Sequence, residues 1–543
     1  MGRMKKRGMV LLWMGFLTFS LFLGLYGDGQ AAPKRGGIIV EAMGTEPTNL
    51  DLFKARRQPE FRILHLIMEP LVVINPRLKI EPLLANSWKS SANGKSWTFT
   101  LKKGIKFHDG EPFDAAAVKF SLEKHMKSSQ GGRLKMIDTV EAKDDQTVVI
   151  HLKQPYPELL NVLASFECSM VSPKAVNEAK NDWGSKVIVG TGPMKFKEWR
   201  SGERVVLVRN PEYKHGPSFV SNKGPSYVDE WHFRFLVEPA TLIAELTSGD
   251  VDLSSYVTER DVNAVKENPK TSVILAKSTS PIYLAMDVKK KPFDDIKIRE
   301  AVCHAIDAEA VRKAAMSGVA APLYTPLAPT VMGYWPGPEE VAKPLVKYDP
   351  GKAKQMLEEA GWKDSGKGYR EKEGQPLEVI FFAFNIARYR RMAEVATPML
   401  QAAGFKVDLK ILEPGDLYER VLKGEHHLLS TGLVTSQGIA MDDLILMFHS
   451  ASIGSINQWC LYEKPEMDKL LDGARYDLDA KKRNEALKRA QELAARDLPV
   501  VPIANALEIF GYKKSLGGVE NYIKHPWCFD QLNAYRALEL YKQ

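Results

Sequence analysis

Cysteine is scarce in this chain: four residues in 543, at Cys168, Cys303, Cys460 and Cys528. Their spacing fits no structural zinc or cluster motif. Sequence alone cannot pair them, and a chain this long builds a core without disulfides. Catalytic signatures are missing as well. There is no H-E-x-x-H, no Walker loop and no G-x-S-x-G. An excess of charge is also lacking, since a net +8 over 543 residues is too mild for a nucleic-acid footprint. Low-complexity tracts and internal repeats are absent. After the first 31 residues, no stretch is apolar enough to span a bilayer. These absences argue against an enzyme, a metal or cofactor carrier, and a nucleic-acid partner.

What is present begins at the amino terminus. Arg3, Lys5, Lys6 and Arg7 precede an apolar run over 9–26, and Gly29 and Ala31 supply small residues for cleavage. Residues 1–31 are therefore expected to be an export signal. No cysteine stands at that junction, so a soluble periplasmic protein is expected rather than a lipoprotein. An uncleaved anchor remains open from the length of the run. The composition, 44% hydrophobic and 26% charged, is that of a globular protein with a large core. The length suggests two to four domains.

Strand and helix signals alternate along the chain. Trp97, Phe99 and Leu101 alternate with polar residues at the period of a half-buried strand. Asp109-Gly110 marks a tight turn, and an amphipathic helix is expected over 115–127. Another strand is expected over 147–152. The spacing predicts a helix over 348–361, capped by Asp349, with Pro350 in its first turn and Gly361 as its stop. A second helix is predicted over 479–497, buried through Ala486, Leu487, Ala490, Leu493 and Ala494. Residues 498–510 read as an extended return through the core. These features specify an α/β scaffold and no function.

Two stretches say more: FHDGEPFDA at 107–115 and GTGPMKFKEW at 190–199. With them come Arg35-Gly36-Gly37, Glu46-Pro47-Thr48-Asn49-Leu50-Asp51, Glu69-Pro70-Leu71-Val72 and LTSGDVD at 246–252. Pro292-Phe293-Asp294-Asp295, Arg299-Glu300-Ala301-Val302, Ala305-Ile306-Asp307 and Tyr348-Asp349-Pro350 follow in order. This series resembles the family 5 extracellular solute-binding proteins, the periplasmic receptors of peptide-, oligopeptide- and nickel-type ABC importers. The resemblance implies an α/β, bilobal periplasmic binding protein fold of class II type, with an extra domain inserted in lobe one. Lobe one would comprise 33–68, 190–283 and 505–543, the inserted domain 69–189, and lobe two 284–504. A small solute, peptide or other, would bind between closing lobes. The loaded protein, a monomer, would deliver it to a permease and ATPase complex.

The resemblance also nominates site residues. In peptide-binding relatives an Asp of lobe two takes the ligand's ammonium group. Here the stretch 431–448 places Ser436 at that point, between Thr435 and Gln437. A serine hydroxyl is a weaker partner for an ammonium than a carboxylate. A ligand other than an ordinary dipeptide therefore stays open, including an organic anion, an opine, a sugar or a metal chelate, as does the same scaffold serving as a sensory partner. Arg56 and Arg57 lie between elements expected to flank the cleft, and a guanidinium fork suits a carboxylate. A solvated turn or a lobe–lobe salt bridge is the competing reading. Arg388 opens a lobe-two helix near the expected carboxylate site. Asn457 and Trp459 resemble a cleft segment of dipeptide binders, with core packing as the alternative for Trp459. Gly190-Thr191-Gly192 reads as a structural turn, because Pro193 and Lys195 break the dinucleotide pattern. His426 and His427 read as exposed or packed rather than metal-binding, since neighbours on an extended segment point opposite ways.

Overall fold

The computed structural model describes residues 33–128, 131–433, 438–455, 457–519, 521 and 535–543. The expected export signal at 1–31 and Cys528 lie outside the described residues.

One eleven-stranded sheet organises the chain. At its centre two long strands, Thr271–Met286 and Val500–Lys513, pair antiparallel, with register shifts between Lys277 and Pro281 and between Ile282 and Tyr283. On one flank Leu253–Ser254, Ile38–Met43 and Glu230–Phe235 run parallel, extended by antiparallel Arg204–Arg209 and Met194–Arg200. On the other flank Leu428–Gly432, Glu378–Phe384 and Lys406–Leu412 form a second parallel set. The two flanks are two lobes, and the central pair crosses between them. The extended return read over 498–510 is the second of these crossing strands.

Each lobe has its own core. Lobe one packs Ile39, Met43, Trp231 and Phe233 against Ile63, Leu64 and Ile67 of the helix Gln58–Leu64 and its exit. Inside it Glu41, fully buried, accepts from Trp231 Nε1 at 2.9 Å, Arg536 Nε at 3.3 Å and Arg62 Nε. That network ties the end of the chain to its first strand. Lobe two packs Val302, Leu357, Phe381 and Leu400 on one face of its sheet, and Phe382, Leu444, Met447 and Leu471 on the other. The helix Pro350–Glu359 is capped by Asp349, which accepts from Lys352 N at 2.9 Å. Gly361 follows it at φ +90, as a left-handed stop requires. The helix Ala480–Asp497 buries Ala490 and Ala494 but leaves Ala486, Leu487 and Leu493 half-buried.

A third body grows from lobe one. Its four-stranded antiparallel sheet runs Ala85–Ser90, Ser96–Leu101, Thr147–Leu152, Ile137–Asp144. Trp97, Phe99 and Leu101 point inward, at the predicted period. The helix Ala115–Met126, capped by Asp114 on Ala117 N at 2.9 Å, covers the sheet. This core draws on residues from Leu71 to Met170 together with Tyr213, Val220, Tyr535 and Leu538, whereas Val171, Ala175, Val176, Trp183 and Ile188 pack into lobe one.

The two stretches singled out by sequence hold each other, and through them the third body is fixed to lobe one. His108 N donates to Gly190 O at 3.0 Å, and its Nε2 bonds Gly192 O at 2.9 Å. Gly190 N donates to His108 Nδ1 at 3.4 Å. Nδ1 accepts and Nε2 donates, so the ring is neutral. Desolvation accordingly lowers its pKa from 6.5 to about 4. The glycines are obligatory for close approach: a Cβ on Gly190 would run into Ile67 O, and one on Gly192 would stand 2.7 Å from Leu66 O.

A folded-state pKa below the unfolded one means that the unfolded chain binds more protons as the solution is acidified. Stability from His108 is thus full above pH 6.5 and drains away towards pH 4; His426, lowered to about 4 by burial, adds to the slope. The melting temperature is expected to fall by a few degrees between pH 7 and 5, and His108→Gln to flatten that fall in a calorimetric pH series. An unchanged slope in the variant would remove His108 from this role.

Candidate functional site

In parallel sheets, ligands bind beyond the carboxyl ends of the strands. Here the carboxyl ends of both parallel sets converge on the crossing strands. In lobe one these ends are Met43, Phe235 and Ser254; in lobe two, Phe384, Leu412 and Gly432. Gly432 pairs with Ile282, and Leu433 N donates to Pro281 O at 3.0 Å, beside the register shift of the crossing pair. The chain leaving each strand end therefore borders one cleft, with the crossing strands as its floor.

On the lobe-one rim Tyr256 packs against Gly44, where a Cβ would approach its ring to 2.7 Å. Its hydroxyl is buried without a hydrogen-bond partner among the described residues, and burial pushes its pKa up to about 12. Arg57 caps the helix Gln58–Leu64 from an exposed position. Its Nη2 donates to Thr45 Oγ1 at 3.2 Å, and its backbone N donates to Glu60 Oε2 at 2.6 Å. Arg56, beside it, is exposed. On the lobe-two rim Arg388 begins the helix Ala387–Ala403 and forms an ion pair with Glu259 of lobe one. The cleft is thus spanned by a direct contact between its two walls. Tyr389 stands next to it, its hydroxyl 3.2 Å from where a Cβ of Gly432 would lie.

A second contact, between the third body and lobe two, lies away from this rim. The third body presents Tyr156 and Glu158 to lobe two. Arg475 stacks over the Tyr156 ring at 5.6 Å, Tyr476 lies 6.3 Å from it, and Arg483 Nε stands 3.8 Å from Glu158 Oε1. Burial, with Asp442 nearby, raises the Glu158 pKa, and Arg483 opposes that shift. Leu478 covers Gly94, a residue at φ +66.

The residues nominated from sequence are distributed unevenly. Arg57 and Arg388 come to opposite rims of one cleft. Thr435, Ser436 and Gln437 lie outside the described residues. Asn457 is half-buried at φ +105. Trp459 is 3% exposed, stacks on Tyr418 at 5.8 Å and belongs to a lobe-two core. Its carbonyl bonds His426 Nε2 at 3.0 Å, at the amino-terminal end of Leu428–Gly432 and so opposite the cleft. His426 is fully buried, and His427 Nδ1 accepts from Ile380 N at 3.1 Å, so both rings are part of the packing. Cys168, Cys303 and Cys460 sit in three different cores. Burial pushes the Cys303 thiol up to about 12, far from a reactive thiolate. Glu259, Tyr256 and the Tyr156–Arg475 contact carry no local sequence signal, because each depends on an apposition of distant segments.

The family model described as bacterial extracellular solute-binding proteins, family 5, matches residues 79–455. Among curated proteins, the oligopeptide-binding protein AppA of Bacillus subtilis is 26% identical over 520 residues, covering 91% of this chain and 93% of AppA. The glutathione-binding protein GsiB of Pectobacterium atrosepticum is 29% identical over 494 residues, covering 88% and 90%. Among solved structures, AppA from Bacillus subtilis in complex with a nonapeptide superposes with a TM-score of 0.73 at 25% identity, covering 94% of this chain and all of that one. The periplasmic binding protein DppA of Helicobacter pylori in complex with peptide STSA gives 0.74 at 25% identity, covering 94% and 98%.

The Arg388–Glu259 pair is partly screened, so it is worth about 1 kcal/mol, roughly a fivefold change in a two-state ratio. That is small against folding but would weigh on any equilibrium between two arrangements of the lobes. Arg388→Met is expected to widen the ligand-free protein in small-angle X-ray scattering without lowering its melting temperature. An unchanged scattering profile would show that the pair does not bias closure.

Proposed function

The chain belongs to the bacterial extracellular solute-binding proteins of family 5, and from that premise we propose that it is the receptor of a peptide-type ABC importer. It traps a small solute between its lobes and hands it unaltered to a membrane permease coupled to an ATPase. The observation that carries this reading is the facing of two carboxyl-terminal strand edges across one hinge, spanned by Arg388 and Glu259. A solute reaching both edges binds the closed form better than the open one, and that difference in affinity is what drives closure.

Export through residues 1–31 would place the mature protein, a monomer, in the periplasm. The peptide class draws on AppA and GsiB, whose names specify oligopeptides and glutathione. Arg57, exposed on the lobe-one rim with a single neutral side-chain partner, Thr45, is suited to a carboxylate of such a ligand.

Native mass spectrometry of protein purified without unfolding tests the reading. A one-to-one complex that releases a small solute of unchanged mass is expected. Conversion of that solute to a product during storage would make the protein an enzyme and end the proposal.

A further inference from the structure

We propose that Asn505 is a ligand-positioning residue, whose side-chain amide takes a donor-and-acceptor group of the solute on the floor of the cleft. This inference rests on the receptor reading above.

Asn505 lies on the second crossing strand, paired with Pro281 of the first and with Ala321 of a short edge strand. Pro281 marks the register shift, and its carbonyl receives Leu433 N as the chain leaves the lobe-two strand end. Asn505 therefore stands where both carboxyl-terminal edges meet. Ala504 and Ala506 pack into the lobe-two core, so the side chain between them projects from the opposite face of the strand. It is 1% exposed, and neither Oδ1 nor Nδ2 has a hydrogen-bond partner among the described residues.

Such an amide is costly, because burial removes its water and the chain returns no bond. A leucine of similar size would fill the space without that cost. A buried polar group that the fold does not satisfy needs another reason to be there. The position supplies one, since a solute lying on the hinge reaches this strand. Further along the same cleft, Ser255 Oγ and Tyr256 OH are also buried without partners among the described residues. The carboxamide offers two donors and an acceptor. A peptide bond or carboxamide of the ligand answers both sides at once, whereas a carboxylate leaves Oδ1 unpaired. Asn505 thus favours amide-bearing solutes over purely anionic ones.

Asn505→Leu and Asn505→Asp test this, with trialanine and glutathione as probes in titration calorimetry and thermal unfolding of the ligand-free protein alongside. The expected result is a leucine variant at least as heat-stable as the wild type that binds the better probe about tenfold more weakly. The aspartate variant, which keeps acceptors but loses both donors, is expected to weaken as well. A leucine variant that melts several degrees lower with unchanged affinity would make the amide structural and overturn the proposal. A wild type that rejects both peptides yet retains an amide-free solute would overturn the ligand class and leave the receptor reading standing. Were the wild type to retain nothing and bind neither probe, the receptor reading would fail, and with it this proposal.

Discussion

The antiparallel pairing of Thr271–Met286 with Val500–Lys513 is the constraint on which the rest of the molecule depends. One hydrogen-bonded ladder passes through both lobes, so they cannot separate, only rotate. It also fixes the orientation of the parallel sets on either side, and this is why their carboxyl ends face each other. The ladder is weakest between Lys277 and Pro281, where the register shifts and the proline has no N–H to give. A second shift follows at once between Ile282 and Tyr283, so the ladder is interrupted where the two lobes join. The packing energy sits in the separate cores, and the balance between open and closed falls to a few contacts across the gap.

The third body takes part in that balance. His108 and the glycines of 190–192 fasten it to lobe one through a neutral ring and close backbone approach. Its far side meets lobe two through Tyr156 and Glu158. Lobe two thus meets two surfaces, Glu259 of lobe one beside the cleft and Tyr156 and Glu158 of the third body away from it.

Much of this fold was legible in sequence, and the reasons are local. Alternation at 97–101, the Asp349 cap and the glycine stop at 361 are written in neighbouring residues, and each appears where it was read. The motif series led to the bilobal architecture, although residues 171–188 pack with lobe one rather than with the third body's core. The candidate site was less readable. Arg388 could be placed on a helix, but its partner Glu259 lies 129 positions away. Trp459 follows a cleft-like pattern yet packs at the opposite end of its strand, because Tyr418 and the core cover it. Asn505 resembles any polar residue in an apolar run, and only the lack of partners among the described residues distinguishes it.

Gly94 lies on the seam where the third body meets lobe two, away from the cleft. The residue lies on a tight turn of the third body with the Leu478 methyl 2.5 Å from where a Cβ would stand. An added carbon there would press on a terminal methyl of the half-exposed Leu478, stand 3.3 Å from Pro155 Cβ and have to hold a left-handed backbone. The load would fall on the seam between the third body and lobe two and on neither wall of the cleft.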